Sequence, residues 1–214
     1  MKTEVLFASR ADAARQLAHA LYRYRSSQPL ILAIPRGAVP MGQALAQTLG
    51  GDLDVVLVRK LRAPFSEELA VGAVDETGWV YVADHAESCR ADADYLARER
   101  AAQMDVLRRR RSQYTPDRPP LDLAGRTVIV VDDGLATGAT MIAALHAARA
   151  RGPARLICAV PVAAPDSLER VRPYADEVVC LYSPASFYAV GQFYGSFEQV
   201  SDAEVADALA TQHA

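Results

Sequence analysis

The stretch from Thr127 to Thr140, Thr-Val-Ile-Val-Val-Asp-Asp-Gly-Leu-Ala-Thr-Gly-Ala-Thr, limits what this chain can fold into more than any other. Its first half is a run of β-branched residues too apolar to face water, which predicts a strand buried on both faces of a parallel sheet. The strand ends in two carboxylates, Asp132 and Asp133. A turn of small residues follows, Gly134 to Thr140, and leads into a helical pattern with apolar residues at Met141, Leu145 and Ala148. Backbone N–H groups at such a turn lack helical partners, and the helix dipole adds partial positive charge there, so the turn suits a phosphate. The carboxylates would repel a phosphate unless they face another part of the ligand. A ligand with hydroxyls or Mg²⁺ near one end and a phosphate at the other satisfies both halves.

Three common strand-and-phosphate-loop patterns do not fit. A Walker A loop needs a Gly-Lys-Ser/Thr ending, and here Gly138 is followed by Ala139. The Gly-x-Gly-x-x-Gly dinucleotide fingerprint is absent. A phospho-receiver domain would need a lysine on a later strand, and no lysine follows Lys60. An ordinary strand–turn–helix, with the Asp pair as a cap, is the plain alternative.

At 214 residues the chain suits one domain, 1–214, with a full core. The formal net charge of −3 gives no general attraction to nucleic acid or an acidic membrane. Cys89, Cys158 and Cys180 are scattered, without a Cys-x-x-Cys pair, and read as reduced thiols of a cytoplasmic protein. No apolar run approaches the ~18 residues of a membrane span, and the N-terminus lacks an export signal.

Along the chain, Ser9 and Asp12 cap a first helix carrying Ala13, Leu17, Leu21 and Tyr24 on one face, read as a covering helix rather than part of a site. Leu30 to Ile34 is a buried strand stopped by Pro35, and Pro40 opens a helix that ends at Gly50 and Gly51. Asp54 to Val58 is a second buried strand with Arg59, Lys60 and Arg62 packed at its carboxyl end, where parallel sheets bind ligands, so a polyanion site is expected there. Residues 61–122 read as an inserted hood of flexible loop, hairpin and helix: Asp75 to Gly78 is a hairpin turn, and Ala91 to Tyr114 a helix whose run Arg108 to Arg111 reads as its solvated face or end. Arg155 to Val160 and Glu177 to Leu181 are further strands. The aromatics Phe187, Tyr188, Phe193, Tyr194 and Phe197 read as core, with Phe187 and Tyr188 able to offer a stacking face to a planar base. Ser201 and Glu204 form a capping box for a last helix.

Four segments together resemble one family: Ala33-Ile34-Pro35-Arg36-Gly37-Ala38-Val39-Pro40, Val58-Arg59-Lys60-Leu61-Arg62-Ala63-Pro64, the 127–140 stretch, and Ala189-Val190-Gly191-Gln192-Phe193-Tyr194. The chain is similar to a poorly characterised bacterial branch of the type I phosphoribosyltransferases. The resemblance implies an α/β fold, a mostly parallel five-stranded Rossmann-like sheet flanked by helices, with a variable hood. It implies transfer of the phosphoribosyl group of phosphoribosyl pyrophosphate (PRPP) to a nitrogen of a nucleobase or similar small heterocycle, with Mg²⁺ as cofactor, pyrophosphate as leaving group, and a homodimer as the assembly it allows. By position, Asp132 and Asp133 would hold the ribose hydroxyls directly or through Mg²⁺. Ala136, Thr137, Gly138, Ala139 and Thr140 would cradle the 5′-phosphate, and Arg36, Gly37 and Ala38 would form the pyrophosphate loop. Arg59 and Lys60 stand where orotate-specific members have an Arg-Lys pair opening a mobile catalytic loop, which would make Leu61 to Ala70 a closing segment.

Two positions depart from the pattern. Many purine-specific relatives carry an Asp where this chain has Ala136, so either the acceptor needs no such base or a hood carboxylate, Glu67 or Glu68, serves. Ala38 replaces a frequent second glycine. The competing expectation is a non-catalytic PRPP- or nucleotide-binding regulator acting through a protein partner.

Overall fold

The computed structural model describes residues 5–116 and 119–211, and the side chains of Glu67 and Glu68 lie outside that description. Among the described residues, eight strands and six α-helices build two layers of unequal size. The larger is a five-stranded parallel sheet in the order β2-β1-β6-β7-β8, formed by β1 (Leu30–Ala33), β2 (Asp52–Val55), β6 (Thr127–Val131), β7 (Arg155–Val162) and β8 (Glu177–Tyr182). The smaller is a three-stranded antiparallel sheet of β3 (Val58–Ala63), β4 (Ser66–Asp75) and β5 (Val80–Val82).

Side chains alternate across the parallel sheet, as strand geometry requires. Ile31, Ala33, Ile129, Val131, Ile157 and Ala159 point into one apolar cluster, which holds α1 (Arg10–Ala20), α2 (Val39–Leu49) and α6 (Asp202–Ala210) against the sheet. Leu30, Leu32, Val128, Val130, Leu156 and Cys158 point into the other, with α4 (Ala139–Arg149) and α5 (Pro165–Val171). Both faces are covered, so the β6 run needs no polar alternation and has none. The expected α/β fold with a five-stranded parallel sheet is what forms.

The helix caps follow local chemistry. The Ser9 side chain accepts the Asp12 N–H at the start of α1, Asp92 does the same for Tyr95 at the start of α3 (Ala93–Tyr114), and Ser201 with Glu204 closes a capping box on α6. Pro40 lies in the first turn of α2, whose left-handed C-cap is Gly50. Among the described residues no helix is long and apolar enough to cross a membrane.

One strand reading is corrected. Asp54 to Val58 is not a single strand: β2 stops at Val55, and Val58 begins β3 in the other sheet. The cause is non-local. The partner strand β1 ends at Ala33, so after the Val56 N–H bonds to Ala33 O (3.2 Å) no further partner exists on that edge. The chain turns away and pairs with β4 instead. Arg59, Lys60 and Arg62 therefore sit on an antiparallel strand, not on a loop. Leu61 to Ala70 is likewise strand, turn and strand, with irregular pairing at Leu61/Arg62 and Arg62/Ala63.

Candidate functional site

The strand order sets where a ligand can lie. From β1 the chain moves outward to β2, then returns past β1 to place β6 on its other side. The loops leaving the carboxyl ends of β1 and β6 diverge there and open a crevice between them, the general ligand position in open α/β sheets.

The loop after β6 is held from below. Leu135 N–H donates to Val162 O (2.9 Å), Ala164 N–H to Leu135 O (3.0 Å), and the Ser167 hydroxyl to Ala136 O (2.7 Å). Gly138 takes φ +80°, a conformation other residues rarely adopt, and turns the chain into α4 without a side-chain cap. The first amides of α4 are thus left for a ligand. A cavity of ≈ 160 Å³ opens over them, lined by Asp132, Asp133, the loop from Gly134 to Gly138, Thr140, Met141, Val190 and Lys60.

The two carboxylates at its edge have different surroundings. Asp133 Oδ2 accepts Nε and Nη2 of Arg10 at 3.0 and 2.8 Å, and its backbone carbonyl accepts the Tyr194 hydroxyl at 2.7 Å. Asp132 accepts the Asp133 N–H (2.9 Å) and, among the described residues, forms no ion pair. Both are half-buried, mostly surrounded by protein. Burial raises both carboxyls above the ordinary carboxylate range, and the Asp133 charge adds to this for Asp132, while Arg10 and Lys60 pull both back.

A second cavity of ≈ 450 Å³ adjoins the first and shares Lys60 and Thr140 with it. Its other lining residues are Pro35, Val58, Arg59, Arg62 and Arg110, so four cations converge without a carboxylate among them. Burial first, and then the nearby guanidiniums of Arg110 and Arg62, lower the Arg59 pKa. A polyanion relieves that repulsion.

The structure therefore brings together Asp132, Asp133, Lys60, Arg59 and the residues from Ala136 to Thr140. Gly37 packs directly on Asp133 and Arg10. Arg36 turns toward α6, 3.7 Å from Asp202, and the Pro35–Arg36 peptide is cis. Ala38, the departure from a second glycine, is fully buried. Phe187 tilts against Phe193 at 5.0 Å, while Tyr188 is 85% exposed and has an open ring face. Glu67 and Glu68, the hood carboxylates considered as bases, have side chains outside the described residues.

Four residues were not expected where they lie. Arg10 lies on α1, which does more than cover the sheet. Arg110 belongs to the run read as solvated, yet it lines the cationic groove. Its neighbour Arg111 is also inside, paired with both carboxylate oxygens of Glu76 and reaching Val55 O (3.1 Å). Tyr194 was read within the aromatic cluster and the 189–194 segment without a role of its own, and its hydroxyl fixes the Asp133 backbone.

This arrangement can be set beside known proteins. A family model described as "Phosphoribosyl transferase domain" matches residues 4–194. Two Mycobacterium tuberculosis proteins named "Putative phosphoribosyl transferase", from strains CDC 1551 and H37Rv, are 43% identical over 209 residues. The match covers 97% of this chain and 47% of each relative, so the chain spans about half their length. The crystal structure of TT1426 from Thermus thermophilus superposes with a TM-score of 0.81 at 45% identity, covering 97% of this chain and 99% of that one. By its matched residues, its crevice and its relatives, the chain belongs to the phosphoribosyl transferase domain family.

Proposed function

We propose that the chain transfers the 5-phosphoribosyl group of PRPP to a nitrogen of a nucleobase or similar small heterocycle and releases pyrophosphate. The observation that carries this reading is the junction of two unlike cavities at Lys60 and Thr140. One offers helix amides, hydroxyls and carboxylates, suited to a sugar phosphate. The other offers four cations, suited to a diphosphate.

In this reading the amides and hydroxyls from Ala136 to Thr140 hold the 5′-phosphate, and Asp132 accepts from the ribose hydroxyls. Lys60, Arg59, Arg62 and Arg110 surround the leaving group. Displacement at the anomeric carbon develops positive charge on the ribose ring and negative charge on the departing diphosphate, as in glycoside cleavage. Carboxylate and cations both act more strongly on that distribution than on the ground state, and only such differential interaction speeds chemistry. Ala136 offers no proton acceptor, so the nitrogen nucleophile loses its proton elsewhere. Tyr188, more than Phe187, has a free face for stacking on the acceptor ring.

The donor set suits Mg²⁺ carried in by the substrate. Among the described residues no group of three His, Cys, Asp or Glu side chains could hold a metal by itself. Mg²⁺ is commonly held by one or two carboxylates completed by substrate oxygens and water. Of the acidic pair, Asp132, which forms no ion pair among the described residues, would supply that share, and the ion's charge would offset the growing charge on the leaving group.

Pyrophosphate release from PRPP and Mg²⁺, followed across a panel of purines, pyrimidines and other nitrogen heterocycles, is expected to rise with at least one acceptor. Tight PRPP binding without turnover on any of them would instead favour a regulator acting through a protein partner. Arg110→Ala is expected to weaken pyrophosphate binding about tenfold, roughly 1.4 kcal/mol, and to reduce its salt sensitivity. A titration at two salt concentrations checks this, and unchanged binding would remove Arg110 from the groove's function.

A further inference from the structure

We propose that Arg10 is a positioning residue that reserves Asp133 for the protein and leaves Asp132 as the carboxylate that meets the ligand. The ligand half of this statement rests on the ribose-phosphate reading; the division between the two carboxylates rests on their geometry.

Arg10 is held on every side. Its Nε and Nη2 donate to Asp133 Oδ2, its Nη1 donates to Glu198 O at 2.6 Å, and its guanidinium lies 3.8 Å from the centroid of the Phe197 ring. The contact spans 123 residues and joins the start of α1, the loop after β6 and the segment before α6. Arg10 and Asp133 side chains are only 14% and 15% exposed, so the pair is shielded from water and salt. The Tyr194 hydroxyl holds the Asp133 backbone from the other side.

The loop after β1 rests on this pair. A Cβ on Gly37 would lie 2.3 Å from Asp133 Oδ2 and 2.9 Å from Arg10 Nη2. The Asp133 carboxylate is thus enclosed by Arg10 and Gly37, whereas Asp132, lining the same cavity beside Lys60, keeps no such partner among the described residues. Adjacent residues of one acidic pair therefore have separate duties. Arg10 also neutralises a negative charge that would otherwise stand beside the phosphate loop and oppose an anionic ligand.

The test combines thermal unfolding with PRPP titration, in the presence of Mg²⁺, at a temperature where every variant is folded by circular dichroism. R10Q and D133N are each expected to lower Tm by roughly 6–10 °C, as loss of one partner from a shielded pair does. The double variant should fall no further than the worse single one, because both remove the same interaction. D132N is expected to leave Tm unchanged or higher while PRPP affinity falls about a hundredfold. Folded R10Q should bind PRPP about tenfold more weakly, since its Asp133 charge is no longer offset. R10K should recover stability more fully than affinity, because an ammonium restores the charge without the planar fork.

Additive Tm losses for R10Q and D133N, or a D132N loss equal to that of D133N, would overturn the division. An unchanged dissociation constant in folded R10Q would reduce Arg10 to a structural role. If the wild-type protein does not bind PRPP at all, the proposed function fails, and the melting cycle still decides whether the carboxylates divide as described.

Discussion

Asp132→Asn is expected to lower the rate of pyrophosphate release about a hundredfold, equivalent to roughly 3 kcal/mol of lost transition-state stabilisation. The residue lines the cavity over the start of α4 with its carboxylate free of any ion pair among the described residues, which makes it the acid best placed for the ribose of the proposed substrate. An amide keeps the shape and can still hydrogen-bond, but it would supply no charge to the cationic ring that the proposed transfer forms. The fold should not suffer. Burial and the Asp133 charge raise the Asp132 carboxyl above its ordinary range, so in the unfolded chain the group gives up its proton at lower pH than in the folded one. Stability is then lost as pH rises from the ordinary value through the raised one, and a neutral amide removes that loss. Steady-state kinetics with a melting curve checks both halves; an active or a strongly destabilised variant would contradict the assignment.

Gly37→Ala is the second large effect expected. The added methyl meets Asp133 Oδ2 at 2.3 Å, and the oxygen cannot simply swing away because two Arg10 nitrogens hold it. Either the ion pair opens or the loop after β1 lifts. Breaking a shielded pair by displacing one partner costs about 3 kcal/mol. The variant should therefore melt several degrees lower and lose most of its turnover with PRPP, read by calorimetry and pyrophosphate release. Ala38 makes the contrast clear, since the same loop buries its methyl completely. Of the two small positions in this loop, the glycine at 37 is the one the packing demands. A Gly37→Ala protein with wild-type stability and rate would show that the Arg10–Asp133 pair is not a fixed support.

What could be read in advance was local. The run from Val128 to Val131, the acidic pair and the small-residue turn announce a buried strand and a helix N-terminus within a few residues of each other, and β6 and α4 form there. Ser9, Pro40 and Ser201 mark helix starts by short-range chemistry, and each helix begins at or within one residue of its marker. The break between β2 and β3 was not readable. Val55 to Leu57 is apolar throughout, and only the end of the neighbouring strand at Ala33 decides where pairing changes.

The missing site residues have similar causes. In a helix each residue turns about 100° from the last, so consecutive arginines cannot share one environment. Arg108 pairs with Asp105 in solvent, Arg110 enters the groove and Arg111 pairs with buried Asp54 and half-buried Glu76, although the four-residue run looks uniform in the sequence. Arg10 gives no periodic signal for its contact with Asp133, which depends on where α1 packs across the sheet. That contact separates two carboxylates that look equivalent in the sequence.

The central claim is that the two joined cavities form one site for one ligand. A crystal structure of the protein with PRPP and Mg²⁺ tests it most directly. The account predicts the 5′-phosphate on the amides from Thr137 to Thr140, the ribose beside Asp132, and the diphosphate in the groove of Arg59, Lys60, Arg62 and Arg110. A phosphate bound away from the α4 N-terminus, or a diphosphate outside the cationic groove, would contradict it.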